Sequence, residues 1–462
     1  MIKILESGKQ YTKQQLNSLV CNIDPSVHLI LIVTEKIKID ELQKVTIPSN
    51  VEIIDQQERD SILKKASLQV SIPFDDILQR ILKDENYLLM RDRYMSAKDR
   101  KGFPKKMSNF HFQSLVAKKA YDVALSYQAF KPDYAIFAST PHTMPSWINC
   151  LVAEALNVKV ILQHRTYLPG WNYIASGLGR TNNPIELSNN KVREKFINDV
   201  DAYVKKLKKT YDIAMPEYER KRLTRNKGKY FNTYYLLRKY ILKPHWFKNV
   251  ELCWRELSKL SKGLSEIKNK DYYILFIHYQ PERTTLPEGY GYTQVLNIVY
   301  SLRTKLSQNT HLLVKEHPST FTNNCNPNYR HPSFYSLIAE IEGVDWVKIG
   351  TDSFKLIDNA LCAVTVTGTV AFESLIRGTP VINYGVPVFR NDYGYHNFKN
   401  EASLIQFIED INLKKIDNEK IAASAIDNLK SISEFVIKDD DNSGRLGKLN
   451  ALTSLSKTSF IN

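Results

Sequence analysis

Two segments near the C-terminus constrain the fold most. The first, His311 to Pro318, is an apolar run that stops abruptly at Lys315, Glu316 and His317. The second, Val364 to Tyr384, stops at Thr367, Gly368 and Thr369, passes through a helical stretch, and reaches another apolar run at Pro380–Tyr384. Apolar runs alternating with helical patterns predict a parallel sheet with helices on both faces. In such doubly wound sheets, ligands bind outside the carboxyl ends of the strands. The fold class is therefore α/β, and the polar stops are candidate anion-binding positions.

At 462 residues the chain exceeds one ordinary core, so two domains are expected. A hydrophobic content of 43% with 24% charged residues is that of a soluble globular protein. The cysteines, Cys21, Cys150, Cys253, Cys325 and Cys362, are odd in number and share no metal-ligand or redox spacing. A reducing, cytoplasmic setting with thiols as small apolar fillers follows. The N-terminus lacks the apolar h-region of a signal peptide. Runs such as Val27–Val33 are far shorter than the roughly 20 residues of a membrane span. No metal site is expected, because Asp439, Asp440 and Asp441 fall in a Ser/Lys/Asn-rich tail.

The net charge of +15 is concentrated. Residues 201–250 hold fourteen Lys and Arg against four Asp and Glu, interleaved with aromatics such as Tyr203, Tyr234 and Trp246. A solvated helical connector and contact with anionic lipid, at about 1 kcal/mol per basic residue, both account for this segment. Nucleic acid is not expected as a partner, since no recognition module accompanies the charge. The reading adopted is a connector with weak contact to an anionic membrane surface.

The periodicity predicts strands at 28–33, 51–54, 134–138 and 158–162, with helices at 61–83, 112–130 and 146–156. The strands at 134–138 and 158–162 open into two polar turns, 139–143 and 163–166. Helices at 188–209 and 211–225 follow. A second α/β unit starts near Asp271, with strands at 272–278, 311–315, 345–349, 361–367 and 380–384, and helices at 292–307, 353–359 and 369–377. Residues 401–437 read as helical. The expected domains are 1–185, a basic helical connector 186–268, a second domain 269–437, and a flexible or crossing-back tail 438–462.

In the second unit, Gly368 permits a tight turn where strand becomes helix, and the helix N-terminus suits a phosphate. Glu373 lies four residues past Thr369, on the same helix face, where a carboxylate can accept hydrogen bonds from ribose. An ordinary Thr N-cap with a solvated Glu373 is the alternative. Pro318 fixes the loop that presents Glu316 and His317, and His317 can donate to a phosphate or serve as an acid; a capping histidine is the alternative. The loop from His278 to Tyr290, with Glu282, Arg283, Thr284 and Thr285, is longer than the two to six residues usual for a βα loop. In the first unit, His142 and His164 follow predicted strands, and Asp92 lies beside Arg93; each is a candidate catalytic acid or base.

These strings together resemble the capsular polysaccharide biosynthesis family of bacterial glycosyltransferases. Gln280-Pro281-Glu282, Lys315 to Pro318, Thr367-Gly368-Thr369 with Glu373, and Pro380-Val381-Ile382 are the matching pieces. The His-Pro and Thr motifs are also similar to those of bacterial sialyltransferases and polysialyltransferases. The resemblance implies a GT-B fold, two Rossmann-like doubly wound domains facing a cleft. It implies a nucleotide-sugar donor of the CMP type, carrying Kdo or another nonulosonic acid, and a glycan or lipid-linked acceptor in capsule or lipopolysaccharide synthesis. By the same resemblance His317 and the turn of Thr367, Gly368 and Thr369 hold the nucleotide phosphate and Glu373 the ribose, with Lys315 and Glu316 also among the nucleotide-binding residues. The catalytic group is expected from His142, His164, Asp92 or Glu282, on an enzyme that is cytoplasmic or peripheral to the inner face of the membrane. No further cofactor is implied. A polyol-phosphate transferase using a CDP donor, and a non-catalytic capsule assembly protein, are the alternatives.

Overall fold

The computed structural model describes residues 2–7, 13–23, 25, 27–33, 36–42, 44–69, 71–91, 109–137, 139–176, 183–186, 190–208, 244–267, 269–280, 285, 287–318, 320–321, 330–386 and 392–438. The chain divides into two compact units, each built on one sheet.

The first unit contains β1 (Ile2–Ser7), β2 (Val27–Ile32), β3 (Val51–Ile54), β4 (Tyr134–Phe137), β5 (Lys159–Arg165), β6 (Trp171–Ser176) and the short β7 (Asn183–Pro184). Strands run β3-β2-β1-β4-β5 in parallel. The strand order reverses between β1 and β4, which makes their carboxyl edge a topological switch point. Both faces of the sheet are buried. Ile4, Leu29, Leu31, Ile136 and Ile161 pack on one side. Ala135, Val160 and Leu162 pack on the other, against helices Asn109–Phe130 and Met144–Ala155. Continuous apolar strands are what a sheet covered on both faces requires.

Several expectations change here. The central strand β1 had no counterpart in the sequence reading. The predicted helix 61–83 is two helices, Gln56–Gln69 and Phe74–Leu82. Pro73 separates them, because a proline disfavours helical backbone in the residue before it. The predicted polar turn 163–166 is also different. β5 continues through Gln163 and His164 to Arg165, then turns back into β6 in an antiparallel hairpin. Thr166 locks that turn: its hydroxyl donates toward the carbonyls of Leu168 and Trp171, at 3.0 and 2.9 Å, and accepts from the Leu168 N–H. Gly170 supplies the positive φ of 80° that the turn needs.

The second unit contains β8 (Ser261–Lys262), β9 (Tyr272–Phe276), β10 (His311–Lys315), β11 (Val344–Val347), β12 (Cys362–Thr365), β13 (Val381–Asn383) and β14 (Tyr395–Asn397). All pair in parallel, in the order β14-β13-β12-β9-β10-β11-β8. Its core joins Tyr273, Leu275, Leu312, Val314, Val364 and Ile382 to Val299, Leu302 and Tyr335. The segment expected to be only a connector supplies β8 to this sheet, and its helix Asn190–Leu207 stacks Tyr203 on Phe372. The predicted helix 211–225 lies outside the described residues.

The predicted helical stretch 401–437 is two helices, Glu401–Asn412 and Asn418–Ser431, followed by β15 (Val436–Lys438). β15 pairs antiparallel with β6, so the chain re-enters the first unit before residue 438. Cys21, Cys150, Cys253 and Cys362 are free thiols. No helix among the described residues is long and apolar enough to cross a membrane.

Candidate functional site

In the second sheet the strand order reverses between β9 and β12, the switch point at which open α/β sheets bind ligands. His278, just past β9, meets the end of β12 there. Its Nε2 lies 3.4 Å from the N–H of Thr367 and 3.4 Å from the Thr365 hydroxyl. Accepting from the Thr367 N–H requires an unprotonated Nε2. The Gly368 N–H donates to the Thr365 hydroxyl at 3.1 Å. Two N–H groups of the turn expected to hold phosphate are thus directed at protein atoms. His278 was legible in the sequence as a loop residue, but nothing in the spacing linked it to Thr367.

The turn is held tightly against its neighbours. A Cβ on Gly385 would fall 2.6 Å from the Glu288 carbonyl oxygen and 2.7 Å from that of Val366. Gly385 donates its N–H to Val366 O, and Val386 donates to Glu288 O. The loop after β9 therefore lies directly on the end of β12. Within it, the Thr285 hydroxyl donates to Gln280 Oε1, and both residues are buried. Glu282 lies outside the described residues.

The end of β10 divides its three candidates among different tasks. Glu316 is 1% exposed and committed to the protein. Its carboxylate accepts from Arg330 Nε at 2.7 Å, the Tyr335 hydroxyl at 3.0 Å, and the Thr320 hydroxyl and His317 N–H at 2.9 Å each. Arg330 also donates to the His278 carbonyl at 2.8 Å, tying the β9 and β10 ends together. Glu316 is thus the anchor of the loop, not a group left over for a ligand. His317 is half-buried, with its ring 5.0 Å from that of Tyr279. The Lys315 side chain is buried; burial brings its ammonium down to about 8, against the opposing pull of Asp352 and Glu316.

Glu373 is one turn inside helix Val370–Ile376, on the face of Thr369 as its spacing predicts. It is buried instead of solvated, and the Thr369 hydroxyl donates to it at 3.1 Å. Burial raises its carboxyl to about 7, with the Thr369 hydrogen bond acting the other way. The phenol of Tyr203 is pushed well above its ordinary range by burial and then by the Glu373 carboxylate. Tyr203 and Arg330 were not among the expected site residues, because each reaches its partner across a long stretch of sequence.

In the first unit, His142 stands between the end of β4 and helix Met144–Ala155, whose start is a capping box of Thr143 and Ser146. Its Nδ1 lies 3.0 Å from the Thr140 carbonyl oxygen. A carbonyl can only accept, so Nδ1 carries the proton and Nε2 is the basic nitrogen of the neutral ring. His164 is not in a loop: it is inside β5, paired with Tyr173 and stacked on that ring at 5.0 Å. Asp92 lies outside the described residues. Among the described residues, no group of three or more His, Cys, Asp or Glu is placed to hold a metal ion.

Residues 184–394 match the family model of capsule polysaccharide biosynthesis proteins. No curated protein sequence matches the chain. Among solved structures, the chain is similar to the Thermosulfurimonas dismutans KpsC β-Kdo 2,7 transferase at 11% identity and a TM-score of 0.34, covering 76% of this chain and 97% of that one. The β-Kdo 2,4 transferase of the same protein gives 9% identity and 0.33, over 69% and 86%. S. aureus MnaA, in a co-structure with UDP, gives 10% identity and 0.29, over 93% and 94%.

Proposed function

We propose that this chain, whose residues 184–394 match the family model of capsule polysaccharide biosynthesis proteins, is a glycosyltransferase of bacterial surface polysaccharide synthesis. It transfers a sugar from a CMP-activated donor, Kdo or another nonulosonic acid, to a glycan or lipid-linked acceptor. The observation that carries this reading is the convergence of His278, Lys315, His317 and the Thr367–Thr369 turn at one carboxyl edge, beside the switch point of the second sheet.

In this reading Lys315 and His317 bind the nucleotide phosphate. Thr369 and Glu373 take the ribose, and Glu316 with Arg330 holds the two loops in place. Transfer forms a bond from an acceptor hydroxyl oxygen to the anomeric carbon and breaks the bond from that carbon to the CMP phosphate. CMP leaves with its added negative charge opposite Lys315 and His317. The hydroxyl proton goes to a general base. The chain works at the cytoplasmic face of the membrane, with the basic stretch 201–250 giving weak contact to anionic lipid. Binding to anionic liposomes that falls as salt rises checks that contact.

Thermal-shift measurements with CMP, CDP, UMP, UDP, GDP and ADP test the donor. A nucleotide at 100 times its Kd stabilises the fold by about 2.7 kcal/mol. A rise with CMP is expected, reduced in His317→Ala without loss of the unliganded melting point. A rise with UDP or GDP alone overturns the CMP assignment, and phosphorus retained in the polymer identifies a polyol-phosphate transferase instead.

A further inference from the structure

Gln163 is a buried residue, 3% exposed, in β5. Neither its Nε2 nor its Oε1 has a hydrogen-bond partner among the described residues. A glutamine amide carries two donor hydrogens and an acceptor oxygen, and a buried amide is ordinarily satisfied. The backbone around Gln163 cannot easily shift to repair this. Gln163 is paired with Ile174 in the β5–β6 ladder, and the hairpin is closed by the three hydrogen bonds of Thr166. It also lies at the ligand-binding edge of its sheet. The last described pair of the parallel β4–β5 ladder is Phe137 with Leu162, so Gln163 directly follows it, next to the strand that leads to His142.

We propose that Gln163 is a carbohydrate-recognition residue at the carboxyl edge of the first sheet, hydrogen-bonding hydroxyls of a neutral sugar. The chemistry selects this class. An amide offers a donor and an acceptor side by side, which suits adjacent hydroxyls that each give and take a hydrogen bond. On its face of β5, Gln163 follows Ile161 and lies opposite Ile174, both core residues, and such a setting disfavours a charged ligand. Arg165, two residues further along the same face, is exposed, so that face reaches solvent two residues beyond the amide. The amide is covered without ligand, so entry displaces the adjoining edge of the site. This rests on the proposed function, and assigns the sugar that accepts as neutral at the point of contact.

Saturation-transfer NMR with methyl glycosides of galactose, glucose and N-acetylglucosamine, and with N-acetylneuraminic acid, tests the assignment on the full chain. Wild type is expected to receive saturation transfer from at least one neutral glycoside. Gln163→Leu should weaken that binding about tenfold, with a melting point equal to or above wild type because an unpaired amide has been removed. Gln163→Ala should weaken it equally. Undiminished binding in both variants overturns the proposal, as does binding of the acidic sugar alone or of none. A lowered melting point in Gln163→Leu also overturns it, since the amide would then have an internal water or protein partner. The CMP-induced shift should persist in both variants. Its absence from wild type would sink the donor assignment while leaving the glycoside result to decide Gln163.

Discussion

Glu316 and Arg330 show how a motif residue can be committed to holding its own loop. Both are nearly fully buried, and breaking a buried, hydrogen-bonded ion pair by removing one partner costs about 3–5 kcal/mol. Arg330→Met should therefore lower the unfolding free energy by that order, and Arg330→Met with Glu316→Leu should recover part of the loss. Equal stability of single variant and wild type in urea would contradict the anchor role. Glu373 makes a prediction in pH. Its folded value of about 7 lies above the usual carboxylate range. The folded chain thus holds a proton that the unfolded chain has released, and stability falls as pH rises from about 4.3 to that value. Glu373→Gln should flatten this slope and raise the melting point at pH 8. CMP affinity in wild type should increase through the same interval, as the carboxylate becomes a full acceptor for ribose. The Thr369–Glu373 relation was legible because a helix places i and i+4 on one face. Glu316–Arg330 was not, because no local spacing links a strand end to a residue fourteen positions on.

The elements that matter most are turns. The chain approaches itself so closely at Gly385 that even a methyl group must push back the carbonyls of Glu288 and Val366. Gly385→Ala should destabilise by about 1–3 kcal/mol and displace the Thr367–Thr369 turn, reducing nucleotide binding. Calorimetry on the folded variant with CMP checks this, and unchanged affinity would mean that the turn is not part of the site. Strand and helix identity in the second unit was largely readable, because β9, β10 and β12 are apolar runs flanked by polar stops. The first unit was harder. β1 reads Ile2-Lys3-Ile4-Leu5-Glu6-Ser7, a short run with a polar residue in both of its alternating sets and no turn signal before it. β5 ends in Gln163-His164-Arg165, polar residues that read as a loop until β6 is there to pair with them.

At the scale of the whole molecule, two α/β units were expected and two are present, but their boundaries were not foreseen. A sequence window cannot show that Val436–Lys438, lying just past two helices of the second unit, pairs with a strand of the first. Ending the chain after Ser431 removes β15, leaving the β6 edge without that partner and Val436 and Ile437 missing from the core. The shortened protein should lose several degrees of thermal stability in the first unit and self-associate through the bared edge. Two separate melting transitions, with only one moved, would be the expected calorimetric trace. A single unshifted transition would show that the crossing strand contributes nothing.

That same return strand has a consequence for biogenesis. Units of a chain generally fold in the order of synthesis, the N-terminal one first. Here the strand that completes the first sheet leaves the ribosome only after the entire second unit has been made. The earlier half must wait, one edge open, while the later half is being translated. Nascent chains stalled just after Ser431 should therefore be more accessible to protease in the first unit than chains stalled far enough on for Val436–Lys438 to have emerged.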